Sequence, residues 1–578
     1  MQKDVIVLKL VIMIVLYVIL AVAFLIRLAS FGFGYPIEVY GDELSNVITA
    51  FKVLANKTPL IPYEAGAFLP PLLSYMLAPI FAAIGAFGIV FDIFKNMADF
   101  TSFVILSREW FLTPARVVSA MFGTVTVYFL YLFADKIFNR KVALLSAFLL
   151  AVDFLHIHNS QIGHIWTPLT FFIVALAYFS YRLSLTGERK WYWLSALSIG
   201  LGYAMGQIPI IYYPVFLLIH FYHVRNAGKK FFDKNFIESA VVIFGLVAVF
   251  SVLNFYTFYK HFYDVVLAFS ELFGLEIWSS VNYPWVRKSM VDHYSFFGNW
   301  TIAFKNIFYT SPIVVLAAFF GFFVLLKKFK FGDLRNVFLI YVPFGYLLVS
   351  VLLYYNFHYR YVLPAIPFFI VSASYFIFFL CDKISSPQTK KIASISLIVA
   401  ISAYSSVSSL FYSLKLLKPY TVVQGIDWVY ANVPHSSKIV SGIYLNTDKD
   451  GIRFGEKHNK YGWVDTRKKY LLELDEQNYP EPNYFLINPN ITDVYSLPEE
   501  EKKADYFFIT FYNKEKEEEQ LKAMNEFEGK KELIVKFYPK EEKTYIKNLL
   551  GFETQWVGKS VFEIKNLGPY VEVYKTVK

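Results

Sequence analysis

Three carboxylates, Glu38, Asp42 and Glu43, stand within six residues in "EVYGDEL" (38–44). A carboxylate there could accept the proton of an attacking hydroxyl, provided a cation faces it across a cleft. Such a cation occurs much later, in "NFHYRYVLP" (356–364), where Arg360 lies between His358 and Tyr361. A guanidinium grips phosphate through two parallel hydrogen bonds, so acid and cation together outline transfer of a group from a lipid-borne phosphate. Simpler roles exist for each. Asp42 and Glu43 open an amphipathic segment (Leu44, Val47, Ile48, Phe51, Leu54) and would favour its helical N-terminus. Arg360 could be a snorkelling anchor.

Other polar side chains could join them: Glu64, the cluster "HIHNSQIGHIWTP" (156–168) with Gln161 and His164, and Asp292 and His293. His156, His158 and His164 have the chemistry of zinc ligands, but no HExxH and no cysteine pair accompanies them. Hydrogen bonding at an interface accounts for them more simply, and a metal site stays undefined.

These residues are far apart in sequence, so the elements between them must bring them together. Of 578 residues, 56% are hydrophobic, 20% aromatic and only 17% charged, too apolar for a soluble fold. The chain reads as a polytopic membrane protein in contact with the bilayer. Its net charge of +10 reports topology, because the Lys and Arg sit between apolar runs and no basic stripe with stacking aromatics points to nucleic acid. The single cysteine, Cys381, excludes an internal disulfide. Residues 5–26 are too long for a signal-peptide core and have no small-residue cleavage site after them, so they read as a retained first helix.

Spans are expected at 5–29, 115–133, 142–157, 167–183, 191–206, 208–223, 238–258, 309–326, 337–355, 361–380 and 392–412, about eleven transmembrane helices in all. The basic connectors 135–141, 181–190, 223–234, 327–335 and 381–391 would be cytoplasmic, as would the N-terminus. Parity then requires "LPPLLSYMLAPIFAAIGAFGIVF" (69–91) to be an interfacial or re-entrant element, helped by Pro70, Pro71 and Pro79. The acids of the first loop (30–114), the histidine cluster, the large loop 259–308 and Arg360 would all face the outside.

With these residues in place, the chain resembles the GT-C glycosyltransferases, in particular the dolichyl-phosphate-mannose protein mannosyltransferase and aminoarabinose transferase branch. "GDEL" (41–44) resembles that branch's Asp-Glu motif, and "YRYVLPAIP" (359–367) its Arg/Lys-Tyr-x-x-Pro-x-x-Pro pattern. "GIDWVYANVPHSSKIVSG" (425–442) and "GPYVEVYK" (568–575) resemble the start and end of the outer domain. The resemblance implies a polyprenyl-phosphate sugar donor, an acceptor hydroxyl on a protein, glycan or lipid, and inversion at the anomeric carbon. It implies Asp42 as base, Glu43 beside it, and Arg360 with His358 and Tyr361 at the donor phosphate. Glu38, Glu64, Gln161, His164, Asp292 and His293 would be sugar or acceptor contacts. No cofactor is certain, though a divalent metal fits some members.

The chain also departs from the pattern. Thr167 precedes Pro168 where relatives often have an acid, "LPP" (69–71) replaces Glu-Lys-Pro, and "MGQIP" (205–209) replaces a Thr-Lys-Gly turn. The change at 69–71 weakens a lipid A assignment, and the lack of a WWD motif argues against oligosaccharyltransferases.

The expected domains are a catalytic membrane domain of GT-C type (1–412) and an extracytoplasmic α/β domain (413–578). In the latter "KIVSG", "YFFITFY", "ELIVKFY" and "YVEVYK" read as strands, with "IDWVYANV" and 514–527 as helices. A transporter or flippase of lipid-linked sugars is the rival reading, but no internal repeat and few charges in span centres support it. A non-enzymatic assembly protein is a further alternative, with no specific motif behind it.

Overall fold

The structure, a computed structural model, describes residues 2–37, 39, 41–61, 71–206, 208–255, 296–330, 333–353, 358–443, 445, 481–487, 502–541, 543 and 561–577. Its helices are α1 (Gln2–Arg27), α2 (Gly41–Ala55), α3 (Leu72–Val90), α4 (Met97–Leu106), α5 (Leu112–Ile137), α6 (Arg140–Val152) and α7 (Phe154–Ser160). They continue with α8 (Trp166–Thr186), α9 (Arg189–Gly206), α10 (Tyr213–Ala227), α11 (Lys234–Leu253), α12 (Phe296–Thr310) and α13 (Pro312–Lys328). Last come α14 (Leu334–Asn336), α15 (Val342–Leu353), α16 (Ile366–Cys381), α17 (Pro387–Leu416), α18 (Thr421–Asn432) and α19 (Lys514–Asn525).

Among the described residues nine helices are long and apolar enough to cross a membrane, or eleven if each of two bent pairs counts as one span. The protein is a multi-pass helical membrane protein. Its apolar surface is partitioned accordingly: α1 exposes Val11, Ile14, Val18 and Leu25, side chains that only lipid tails would solvate without cost. The opposite case is α16, apolar and buried over most of its length, which belongs inside the bundle.

Two expectations are refined. Within the stretch expected to be interfacial or re-entrant, α3 (Leu72–Val90) is one continuous helix of 19 residues with Pro79 inside it, not a hairpin. At 1.5 Å per residue it is roughly as long as a bilayer core is thick. The expected span 142–157 is instead the bent pair α6–α7, turned by 58° at Asp153. The Asp153 carboxylate caps α7 by accepting the His156 N–H at 2.9 Å, which starts a new helix where the old one ends.

The chain forms two compact units. The first takes in residues 1–31, 42–82 and 113–410, hence most of the apolar helices. The second takes in 32–41, 83–112 and 411–578. It contains a five-stranded mixed sheet of β1 (Lys438–Ser441), β2 (Phe485–Ile487), β3 (Tyr506–Phe511), β4 (Lys530–Phe537) and β5 (Tyr570–Val577), in the order β2-β1-β3-β5-β4. β1 pairs in parallel with β2 and β3, whereas β5 is antiparallel to β3 and β4. Phe507, Ile509 and Phe511 alternate onto one face, where Ala523, Met524 and Phe527 cover them.

Candidate active site

Glu43 sits in the first turn of α2 with no exposed surface. Its Oε1 accepts from Arg116 Nε at 3.0 Å and from the Gly163 N–H at 2.6 Å, and its Oε2 from Arg116 Nη2 at 2.8 Å. This is a two-pronged guanidinium–carboxylate pair with a backbone donor added, the arrangement that makes a buried pair tolerable. Arg116, in the first turns of α5, also donates through Nη1 to the Ser30 carbonyl at 2.8 Å. The Ser30 hydroxyl donates to the Gln161 carbonyl at 2.6 Å, and Gln161 Nε2 to the Ile26 carbonyl at 2.8 Å. The end of α1, the start of α2, the start of α5 and the loop after α7 are thus tied into one knot.

Gly163 is there because nothing larger fits. A Cβ would lie 2.7 Å from that of Ala115 and 3.3 Å from the Arg116 nitrogen. A second knot fixes the other side of the loop. Arg27, buried at the end of α1, donates to the carbonyls of Ala23, Leu150 and Ala151 and to His156 Nδ1 at 2.8 Å. Arginine only donates, so His156 Nδ1 accepts and the imidazole carries its proton on Nε2. The Ser311 hydroxyl donates to Asp153 Oδ2 at 2.8 Å, tying α7 to the start of α13.

From Gly163 the contacts run on to the second motif. The His164 ring lies parallel to Trp166, 6.3 Å between centres, and Trp166 packs on Tyr361 at 4.8 Å. Tyr361 in turn meets His358 edge-on at 5.4 Å and lies 5.9 Å from the Arg360 guanidinium carbon. A second link joins the same elements, with His158 Nε2 2.8 Å from the Tyr359 hydroxyl. The first unit therefore brings Glu43, Gln161, His164, His358, Arg360 and Tyr361 into one connected neighbourhood.

The backbone of Asp42 belongs to the first turn of α2; its side chain lies outside the described residues. So do Glu38, Glu64, Asp292 and His293. A cavity of about 570 Å³ elsewhere in the unit lies among Tyr181, His223, Asn226, Asp333 and Arg335 and includes none of the motif residues.

Arg116, Gly163 and the His158–Tyr359 contact are absent from the sequence reading. For Arg116 the signal was present: an arginine at the edge of an apolar span needs an anion, and the first loop supplies the nearest buried one.

A divalent metal does not fit the described side chains. They contain no group of three His, Cys, Asp or Glu able to hold one, and both Glu43 oxygens are taken by Arg116. The histidines at 156, 158 and 164 do not converge.

The chain is similar in part to several known proteins. Residues 100–255 match the family model for dolichyl-phosphate-mannose-protein mannosyltransferases. Over 148 residues the chain is 29% identical to dolichyl-phosphooligosaccharide-protein glycotransferase 2 of Pyrococcus furiosus, covering 24% of this chain and 20% of that protein. Among solved structures, the Archaeoglobus fulgidus oligosaccharyltransferase in complex with Zn and sulfate aligns with a TM-score of 0.44 at 14% identity, over 73% of this chain and 60% of that one. ArnT from Cupriavidus metallidurans bound to undecaprenyl phosphate aligns with a TM-score of 0.41 at 13% identity, over 72% of each chain. The chain thus spans about a fifth of the curated relative's length and three fifths of the oligosaccharyltransferase. The resemblance to the GT-C superfamily is supported by the family match and by the Pyrococcus relative. The matched segment includes Arg116 and the histidine cluster, while the two motifs at 41–44 and 359–367 lie outside it.

Proposed function

We propose that the protein is an integral-membrane glycosyltransferase that moves a sugar from a polyprenyl-phosphate carrier to an acceptor hydroxyl on the extracytoplasmic side. The acceptor oxygen attacks the anomeric carbon as its proton passes to the Asp42 carboxylate. The bond to the carrier phosphate breaks on the opposite face, which inverts the configuration. Arg360, with His358 and Tyr361 beside it, neutralises the phosphate as it leaves. Glu43 is a positioning residue in this scheme, because its oxygens are already held by Arg116 and Gly163. The basic connectors orient the site outward.

The observation behind this reading is the ladder Glu43–Gly163–His164–Trp166–Tyr361–Arg360, which joins an acidic loop to a phosphate-type cation within one unit. The matched family's name points to a dolichyl-phosphate-mannose donor. The Pyrococcus relative's name favours a second reading, an oligosaccharide donor with a protein acceptor.

Purified protein in lipid nanodiscs, given radiolabelled polyprenyl-phosphate mannose or a polyprenyl-phosphate oligosaccharide, separates the two. Turnover of either carrier should disappear in Asp42→Asn. Arg360→Ala should weaken turnover at least tenfold, with Arg360→Lys intermediate, because a lysine supplies charge without the planar fork. An Asp42→Asn protein with undiminished turnover removes the mechanism.

A further inference from the structure

The cavity of about 570 Å³ lies within the first unit, where α8 and α10 end and α14 begins. Tyr181, Ser184 and Leu185 come from the last turns of α8, and Tyr222, His223 and Asn226 from those of α10. Trp166, at the start of α8, packs on Tyr361 of the candidate active site. At about 1.5 Å per residue along this helix, the cavity is roughly 25 Å away, toward the opposite membrane surface. The connectors around it, 181–190, 223–234 and 327–335, are rich in Lys and Arg.

Its mouth holds hydrogen-bond donors that the fold leaves unused. Arg335 lies over Phe329, with its guanidinium carbon 3.5 Å from the ring centre. It donates Nε to Asp333 Oδ1 at 2.9 Å and Nη2 to Asp333 Oδ2 at 2.7 Å, while Nη1 meets no acceptor among the described residues. The Asn226 amide likewise has no partner among the described residues. The His223 ring turns Nε2 onto Gly187, where a Cβ would fall 2.0 Å from it, and this leaves Nδ1 as the nitrogen a ligand can reach. Shortly after Arg335 the backbone winds as a π-helix over Val337–Tyr341, a rare winding that recurs where sites are built.

Behind the polar mouth the lining turns apolar. Tyr222, Leu218 and Val215 are spaced four and three apart, so they share one face of α10 running toward the bilayer middle. Tyr222 and Leu218 are exposed on that face. Val215 borders, with Phe338 and Val342, a void of about 10 Å³ between the same helices. A site polar at the membrane surface and apolar in depth matches an amphiphile, and unused donors ringed by basic connectors match an anionic head. We infer that the cavity binds an anionic membrane phospholipid. Its phosphodiester accepts from Arg335, His223 and Asn226, and an acyl chain lies along the Tyr222–Leu218–Val215 face. The inference stands apart from the proposed function, since it needs only the membrane-spanning fold.

The test uses the full chain in nanodiscs of phosphatidylcholine doped with phosphatidylglycerol that carries a diazirine midway along one acyl chain. After irradiation, mass spectrometry of the digested protein should find label concentrated on the α10 peptide that contains Val215 and Leu218, over a background on the exposed face of α1. A phosphatidylcholine probe with the same diazirine should label α10 about fivefold less. Arg335→Ala should cut the α10 label about fivefold and leave the α1 label unchanged. Asp333→Asn guards against misfolding, because asparagine keeps the cap on α14 while releasing Nε and Nη2 of Arg335 for phosphate. Its α10 label should rise about twofold, a direction that a damaged fold would not give. Millimolar glycerol phosphate should not displace the lipid probe, since it has no chain. Equal α10 labelling by the two probes, undiminished labelling in Arg335→Ala, or a fall in Asp333→Asn would overturn the inference. Displacement by glycerol phosphate would overturn it too, by assigning the cavity to a soluble phosphate.

Discussion

A carboxylate without exposed surface needs its lone pairs occupied, and Glu43 has three donors aimed at two oxygens. Removing one partner of such a pair strands the other, at a cost of about 3–5 kcal/mol, whereas replacing both with apolar groups of similar volume is often neutral. Arg116→Met should therefore lower thermal stability in detergent sharply, and Glu43→Leu/Arg116→Met should regain most of that loss while turnover stays low. If the double variant melts no higher than the single one, the ion pair is not what holds the loop. The same reasoning shows what was legible at this scale. Asp42, Glu43 and Arg360 stand out because acids and cations beside apolar runs are conspicuous. Arg27 and Arg116 carried the same signal, but their partners are carbonyls and a carboxylate brought close only by folding. No local spacing encodes them.

Between elements, contact is decided by backbone as much as by side chains, and Gly163 is the tightest case at the candidate site. Gly163→Ala would push a methyl into the start of α5, against Ala115 and the Arg116 nitrogen. Overpacking of this kind costs roughly 1–3 kcal/mol, and the strain falls on the amide that donates to Glu43. The variant should melt lower than wild type and lose turnover, whereas Gly345→Ala, with open space around it, should do neither. Equal melting temperatures would mean the loop yields freely. Such a glycine is invisible in sequence, since its constraint comes from a helix 48 positions away. At α3 the three prolines and the parity argument left a hairpin and an interfacial helix both open, and the continuous helix removes the hairpin. A single interior proline removes one hydrogen bond but does not abolish a helix whose other turns are sound. In the second unit, β1, β3, β4 and β5 were readable from alternation and β-branched content. The three-residue β2 was not, because its identity comes from pairing with β1.

At the scale of the whole molecule, the second unit is a compact body of its own, and its sheet carries a largely buried ionic cluster that makes its stability pH-dependent. Glu572 on β5 is 1% exposed and accepts from Lys543 Nζ at 2.8 Å, from the Tyr574 hydroxyl at 2.5 Å and from the Tyr538 hydroxyl. Burial alone would raise its carboxyl, but the hydrogen bonds from Lys543, Tyr538 and Tyr574 outweigh burial and bring it below the ordinary glutamate value. For Lys543, burial pulls down, yet Glu517 and Glu572 together lift its ammonium above the ordinary value. The signs then follow. A carboxyl lowered by folding contributes stability that is complete above its unfolded value and disappears as pH falls through the folded one. A raised ammonium contributes stability that is complete below its unfolded value and disappears as pH rises through the folded one. The second unit should therefore be most resistant between these limits and weaken on both sides, with the acid limb governed by Glu572. Pulse proteolysis of the intact protein across pH, with mass spectrometry following peptides from β3 and β5, measures this directly. Glu572→Gln should reduce resistance near neutrality and flatten the acid limb, because the amide has no proton to take up in that range. An acid limb of unchanged steepness in that variant would assign the pH response to other carboxylates of the unit.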